Sequence, residues 1–581
     1  MRFFSKNTQT LIASLISVIL LFIYPNLTQS QAVFATYDPL SVSNNRFGIH
    51  LIQATHDEAS PAASLVNSTG GDWGYVTVLI EGKDKNQGKW QEFFNELRRK
   101  HLIPIVRLAS IPDGNVWKIP DIGEAQNWAD FLDSLIWPTK NRYVVIYNEP
   151  NQAHEWGGQV DASSYAETLD QTITALKSKS QDFYVLNAGL DASAPEQMPN
   201  YEDEAVFLRE MNISVPGIFD RLDGWVSHPY PNPGFVGSPD ATGRGTVRTW
   251  QWELQQLKGL GVTKTLPVFI TETGWKHAEG MNYDFSLPDA TTVSKYFEKA
   301  FNQAWNSNKI VAVTPFLLSY QEKLFDHFSF KRLDGISTDP GFYPQYQAIL
   351  SMAKTAGKPV QENKAKLMKG EVYSSIVAGE SYNISITFQN TGQSTWGDSN
   401  FVSLVTTTGS KELGIDAVEL PKDKKIEPGQ EYTFNLKLKA PLGGTFKVVL
   451  NLFDGNKPFD TQPVEFTTVV KSPVILRIKS LLGWKKDFSG SYTLNVKGPT
   501  GESSKNVTLD KNGLSGDMEI RYLLPDYFFE FSLEKPFYLS KTINQKLNAG
   551  VNTLDFGTLQ PDIISALLHP KQLWQLLPFS N

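Results

Sequence analysis

From about residue 46 to residue 355, apolar β-branched runs alternate with stretches of helical periodicity, and no other feature of the chain limits its fold so tightly. The runs are Arg46–Leu51, Trp73–Ile80, Ile103–Ala109, Arg142–Tyr147, Phe183–Leu190, Gly224–Tyr230, Pro267–Thr271 and Val311–Tyr320. Continuous apolar runs of this length fit strands buried on both faces, as in a parallel sheet covered by helices. Between them, Lys89–His101 places Trp90, Phe93, Phe94 and Leu97 on one helical face. Glu124–Ile136, Ala162–Lys179, Glu202–Met211, Thr246–Gly261 and Ala290–Asn306 repeat the pattern, with Asp289 a cap for the last. Eight such strands predict a (β/α)₈ TIM barrel over 46–355. An open doubly wound sheet would want a Gly-rich turn after its first strand, and Gly48-Ile-His-Leu-Ile-Gln53 supplies none.

In a barrel of this kind, chemistry gathers at the C-terminal ends of the strands. Glu149, in Tyr147-Asn-Glu-Pro-Asn151, follows strand four. Glu272, in Ile270-Thr-Glu-Thr-Gly-Trp275, follows strand seven. His50 and Gln53, Arg107, Asn187, His228 and Tyr230, and Tyr320 and Gln321 end other strands. Polar side chains collected at one end of so many strands predict a cleft. Two carboxyl groups are the minimum equipment for cleaving a glycosidic bond: one protonated, to release the leaving oxygen, and one ionised, to attack the sugar carbon.

The order Asn148-Glu149 after strand four and Glu272 after strand seven resembles the clan A glycoside hydrolases, and Asn-Glu-Pro-Asn looks most like family 39 and its relatives. The resemblance covers about residues 46–345. It implies a retaining glycosidase with Glu149 as general acid/base and Glu272 as nucleophile. It further implies that Asn148 bonds a sugar 2-hydroxyl and that His228 and Tyr230 flank the nucleophile, with the Tyr230 hydroxyl orienting Glu272. No metal and no organic cofactor is implied. The chain departs from the pattern in two places. The clan's arginine near strand two is replaced by Arg107 on strand three, and its tryptophan after strand eight by Phe316, Tyr320 and Gln321. Trp275 and Trp156, with Tyr230 and Phe235 behind them, are the expected sugar-stacking aromatics, core packing being the alternative for each tryptophan.

Beyond Pro359 helical periodicity gives way to short alternating strands punctuated by Gly, Pro, Asn and Asp. Residues 361–470 read as a β-sandwich. Phe388-Gln-Asn-Thr-Gly-Gln-Ser-Thr-Trp396 and Glu427-Pro-Gly429 resemble the immunoglobulin-like four-tryptophan domain, with Trp396 alone of its tryptophans. Residues 473–560 read as a second, smaller all-β module, and 561–581 as an amphipathic helical tail. Asp510–Asp517 lacks EF-hand spacing and is expected to be a turn.

Residues 1–35 pair Arg2 and Lys6 with an apolar run from Leu11 to Tyr24 and small-residue exits at Ala35 and, as the alternative, Ala32. That order predicts a secretory signal peptide, an uncleaved anchor being the alternative, and so a secreted or cell-surface protein. The chain has 0 cysteines, which leaves no thiolate site and fits bacterial export. A formal net charge of −7 makes nucleic acid a poor partner. The expected partner is a polysaccharide or oligosaccharide. A non-catalytic glycan-binding or adhesion protein on a hydrolase-derived barrel, and a transglycosylase using the same residues, stay open at this point.

Overall fold

The computed structural model describes residues 36–121, 123–333, 341–398, 401–499 and 501–569. The expected signal peptide and the second half of the tail lie outside them. The chain divides into two compact units after Glu362.

In the first unit, β1 (Gly48–Leu51), β2 (Gly74–Glu81), β3 (Leu102–Ala109), β4 (Arg142–Val145) and β5 (Phe183–Leu186) pair in parallel in that order. A second parallel sheet holds β6 (Trp225–Ser227), β7 (Val268–Ile270) and β8 (Ile310–Val313). Parallel bridges Leu186↔Gly224 and Phe47↔Val313 join the two sheets at both edges. Among the described residues the result is a barrel-like ring of parallel strands, with no edge left for water to compete at.

The two-residue period of each strand sorts its side chains. Tyr75, Ile103, Ile105, Tyr143, Val145, Tyr184, Leu186, Val226 and Phe269 fill the ring. Their neighbours Val76, Val78, Val106, Val144, Val185, Val268 and Ile270 pack outward against the helices. The same parity puts Arg107, two residues past Ile105, and His228, two past Val226, on the inner side at the C-terminal rim.

A helix follows each strand: α1 (His56–Val66), α2 (Gln87–Arg99), α3 (Glu124–Asp133), α4 (Ala162–Lys179), α5 (Glu204–Ser214), α6 (Thr249–Gly259), α7 (Ala290–Asn302) and α8 (Pro344–Ser351). Side chains of Asn86, Asp161, Asp203 and Asp289 cap α2, α4, α5 and α7 by accepting from the first-turn amides. Two of these helices were not expected from periodicity. α1 carries Pro61 in its interior, and α8 is only 8 residues long and opens on Pro344. The last strand is also shorter than expected: after Val313 the chain runs as loop through Tyr320, and that loop becomes a wall of the cleft.

Among its described residues, the second unit is built of antiparallel and parallel β-pairing, apart from two short helical pieces. Ala365–Glu371, Ser381–Asn390 and Glu431–Lys439 form one sheet. Ser375–Val377, Val464–Lys471, Gly444–Asp454, Val402–Thr408 and Val418–Glu419 form the core of a second. After residue 472 come a three-stranded sheet around Val474–Leu482 and a four-stranded sheet around Gly490–Gly498. No described strand pairs across residues 472–473, yet one apolar cluster runs through both groups. Ser375 donates to the Pro525 carbonyl and Lys471 pairs with Asp526 across that boundary. Trp396 is buried edge-on to Phe459. Asp510 closes a turn by accepting from the amides of Asn512 and Leu514. The tail begins as a short helix, Ile563–Leu568, whose Ile564 and Leu568 are exposed. No helix among the described residues is long and apolar enough to cross a membrane.

Candidate active site

The chain leaves β4 through a tight turn in which Tyr147 (φ 67°) and Glu149 (φ 31°) take left-handed backbone conformations that side-chain-bearing residues avoid. The turn is held by the Glu149 amide donating to the Gly189 carbonyl (3.0 Å) and the Gln152 amide donating to the Glu149 carbonyl (2.9 Å). It swings the Glu149 carboxyl over the ring. Glu149 Oε1 meets His228 Nδ1 at 2.9 Å, and Oε2 accepts from Gln152 Nε2 at 2.9 Å. The same Gln152 amide group donates to Asp191 Oδ2 at 3.1 Å.

Glu272, just beyond β7, is 7% exposed. Its Oε1 accepts from Arg107 Nη1 at 2.5 Å and its Oε2 from the Tyr230 hydroxyl at 3.0 Å. Arg107 stays on β3, facing Leu79 of β2 and Val145 of β4, and also donates to Asn148 Oδ1 at 2.7 Å. The Asn148 carbonyl oxygen is thus engaged, and its amide nitrogen is the group left to offer a ligand. Thr271 Oγ1 lies 3.0 Å from His228 Nε2 and Thr273 donates to the Pro229 carbonyl at 2.8 Å, so the segment that carries Glu272 is stitched to the one that carries His228 and Tyr230.

The electrostatics separate the two carboxyls. Burial pushes Glu149 up to about 7 against the pull of its His228 hydrogen bond, with the Asp191 and Glu272 charges adding to the rise. Burial acts the same way on Glu272, but His228, Arg107, His50 and the Tyr230 hydroxyl outweigh it and hold this carboxyl below its ordinary range. His228 is raised: burial pulls it down, and the Glu272 charge and the Glu149 hydrogen bond more than offset that. His50, fully buried, is pulled down by burial to about 3 and is neutral. Its 3.7 Å approach to Glu272 is therefore a dipole beside a charge and not an ion pair. Neither His50 ring nitrogen has a hydrogen-bond partner in the protein, and both are buried behind Glu272.

A carboxylate oxygen of Glu149, one of Glu272 and a ring nitrogen of His228 lie within 4.8 Å of one another, a spacing that three metal ligands could share. Each of these groups already has hydrogen-bond partners in the protein. Both Glu272 oxygens accept from Arg107 and Tyr230, and both His228 nitrogens are hydrogen-bonded. A cation would also sit beside the Arg107 guanidinium. The donor set fits proton and nucleophile chemistry better than metal binding.

Seven of the nine expected site residues, Glu149, Glu272, Asn148, His228, Tyr230, Arg107 and His50, meet here. The two tryptophans do not, and the expectation that they line the cleft is corrected. Trp275 is 1% exposed: Gly274 (φ 142°) turns the chain so that the indole packs on Tyr296 and Phe297 of α7 and on Trp305, its Nε1 donating to the Gly237 carbonyl at 2.7 Å. Trp156 is also 1% exposed, edge-on to Tyr147 and Tyr165. Trp275→Ala is expected to lower unfolding free energy by about 3–5 kcal/mol, the range for emptying a buried aromatic site, measurable by urea denaturation. The aromatic wall of the cleft comes instead from an edge-to-face series, Tyr230, Phe235, Phe328, Phe316, Phe325 and Tyr320, whose Phe316 ring also lies 5.2 Å from His50.

No family model and no curated protein matches the chain. The solved structures it resembles are glycoside hydrolases at low identity. A family 39 glycoside hydrolase of Bacteroides cellulosilyticus is 12% identical, with 69% of this chain and 82% of that chain covered and a TM-score of 0.37. A family 30, subfamily 8 xylanase of Clostridium acetobutylicum is 12% identical over 69% and 98% of the two chains, with a TM-score of 0.34. A family 128 endo-β-1,3-glucanase of Sorangium cellulosum is 14% identical over 53% and 98%, also at 0.34. At scores this low the likenesses bear no weight, and the fold stands on the chain's own strands and bridges.

Gln152, Asp191, Thr271 and Gly189 are site residues that sequence reading did not single out. Gln152 lies three residues past the Glu149 motif position, which is its one sequence signal. Gly189 has none. A Cβ on it would fall 2.3 Å from His228 Cδ2 and 2.4 Å from Nε2, and the ring, held on both nitrogens, can yield only by breaking those bonds. Gly189→Ala should displace the imidazole from Glu149 and lower kcat roughly 10²-fold with native circular dichroism retained, because ångström-scale misplacement of a working group costs about that much.

Proposed function

We propose that this chain is a retaining glycoside hydrolase, similar to family 39 of clan A, that cleaves O-glycosidic bonds of a poly- or oligosaccharide by double displacement. The observation that carries the reading is the pair itself. A Glu149 oxygen lies within 4.8 Å of a Glu272 oxygen, with one carboxyl raised and the other lowered in pKa. Inverting enzymes need room for a water between carboxyls about 6.5–9.5 Å apart, whereas retaining pairs stand about 5–5.5 Å apart.

In the first step the Glu149 proton passes to the leaving glycosidic oxygen while the Glu272 carboxylate bonds to the sugar carbon. In the second, Glu149, now ionised, takes a proton from water, the water oxygen bonds to that carbon, and Glu272 departs. Arg107 and the Tyr230 hydroxyl keep Glu272 ionised and aimed. The Asn148 amide nitrogen takes a sugar hydroxyl, and the buried His50 ring backs Glu272. On this reading the N-terminal segment is a signal peptide, and 361–470 and 473–560 are two β-modules that hold the enzyme near its glycan. The adhesion alternative is not favoured, since both carboxyls and the groups that tune them are present together.

Because Glu149 must enter the cycle protonated, kcat/KM should fall as pH rises through about 7. On the acid side, the loss should come only below the ordinary carboxylate range, where Glu272 takes up its proton. A pH–rate profile checks both limbs. The function itself is tested by digesting a glycan panel with the wild-type chain and with Glu272→Gln, read by mass spectrometry. Products from wild type alone support the reading; no products from any glycan, with one of them bound, point to adhesion.

A further inference from the structure

Beside the catalytic pair, between the loops that follow β1 and β8, lies a hollow of about 440 Å³ that none of the roles above uses. Its lining includes Gln53, Asp57, Glu58, Tyr320, Glu322 and Lys331. The two loops are tied to the site at their roots. The His50 amide donates to the Pro315 carbonyl (3.0 Å), the Leu318 amide donates to the His50 carbonyl (2.9 Å), and the Phe316 ring packs on His50. The hollow therefore opens a few residues beyond His50 and Phe316, on the Glu272 side of the cleft. Glu149, with Gln152 and Asp191, belongs to the β4 and β5 loops on the other side of the ring.

That placement gives the hollow a direction. The acid stands at the leaving group and the nucleophile beneath the sugar it captures, so a hollow on the nucleophile side, away from the acid, lies where the captured part of the chain continues. Its surface suits a polyhydroxylated ring. Glu58 Oε2 accepts from the amides of Ile52 (2.9 Å) and Gln53 (3.0 Å), which fixes the turn that presents the exposed Gln53 amide. The Tyr320 ring is braced edge-on by Phe325, with its amide bound to Ser329 Oγ, so it stands as a firm half-exposed aromatic surface. Two exposed carboxyl groups, Asp57 and Glu322, face the hollow with one ammonium, Lys331, while burial raises the Glu58 carboxyl to about 7 and removes much of its charge. The remaining excess of negative charge disfavours a ring that carries a carboxylate.

We propose that this hollow is a subsite for a second sugar on the captured side of the cleaved bond, and that it accepts rings without a carboxylate and rejects uronic acids. The assignment rests on the glycosidase reading for its direction, but its test does not need turnover. Affinity of the full chain carrying Glu272→Gln is measured by calorimetry for tetramers of glucose, xylose, mannose, glucosamine and galacturonic acid. One of the first four binds tightest and the galacturonate weakest. Adding Gln53→Ala or Tyr320→Ala weakens the tightest binder about tenfold, the scale of one lost hydrogen bond or stacking contact. Unchanged affinity in both added variants, tightest binding of the galacturonate, or no binding of any tetramer overturns the subsite. The wild-type chain on the same tetramers judges the glycosidase reading separately: cleavage without loss of affinity in the added variants sinks the subsite alone, and affinity loss without cleavage sinks catalysis alone.

Discussion

Replacing Glu272 by Gln should lower kcat by four orders of magnitude or more, on the order of the losses seen when a nucleophile is removed from an otherwise intact site. The substitution keeps the shape and removes the charge. Glu272 is nearly buried, yet Arg107, His228, His50 and the Tyr230 hydroxyl together overcome the penalty of burial and keep it ionised. A neutral amide there can still accept from Arg107, but it carries no charge to match the guanidinium and is too weak a nucleophile to bond the sugar carbon. Stability should change far less than activity, because Arg107 retains its bond to Asn148. Steady-state kinetics beside a thermal melt separates the two effects.

Replacing Glu149 by Ala should give a different signature. General acid–base catalysis contributes about 10²–10⁴-fold, and the loss should fall on different steps for different substrates. A glycoside whose leaving group is a good one departs without a proton, so its first step survives and the glycosyl-enzyme accumulates as a burst. An unactivated glycan needs the proton and should show the full loss in kcat/KM. Azide, which attacks without a base, should restore turnover of the activated substrate. Loss of equal size on both substrates, without a burst, would remove Glu149 from the role of acid.

Much of this arrangement was legible in the sequence because it follows from strand parity and strand ends. The two-residue period that fills the ring with Ile103, Ile105 and Val226 carries Arg107 and His228 to the inner rim, so residues far apart in sequence could be placed together in advance. The tryptophans were misplaced for the converse reason. They lie just past the motifs, where no period applies, and local turns aim them: Gly274 sends Trp275 out to α7, and Gly157 and Gly158, both at positive φ, follow Trp156 as it folds under onto Tyr165. Asp191 and Gln152 were out of reach because their meeting depends on how two loops cross, which periodicity does not encode. The α1 helix was hidden by Pro61, whose cost to the helix is offset by packing of Ala59, Ala62 and Leu65 in the core.

The division of labour between Glu149 and Glu272 is tested most directly by the configuration of the first product. Proton NMR of the anomeric region, recorded in the first minutes of cleavage of an oligosaccharide identified by the glycan panel, reads it before mutarotation blurs it. Carboxyls this close, one protonated and one ionised, predict a product of the same anomeric configuration as the substrate. A product of opposite configuration would mean that water attacks directly, and would contradict the assignment of Glu272 as nucleophile.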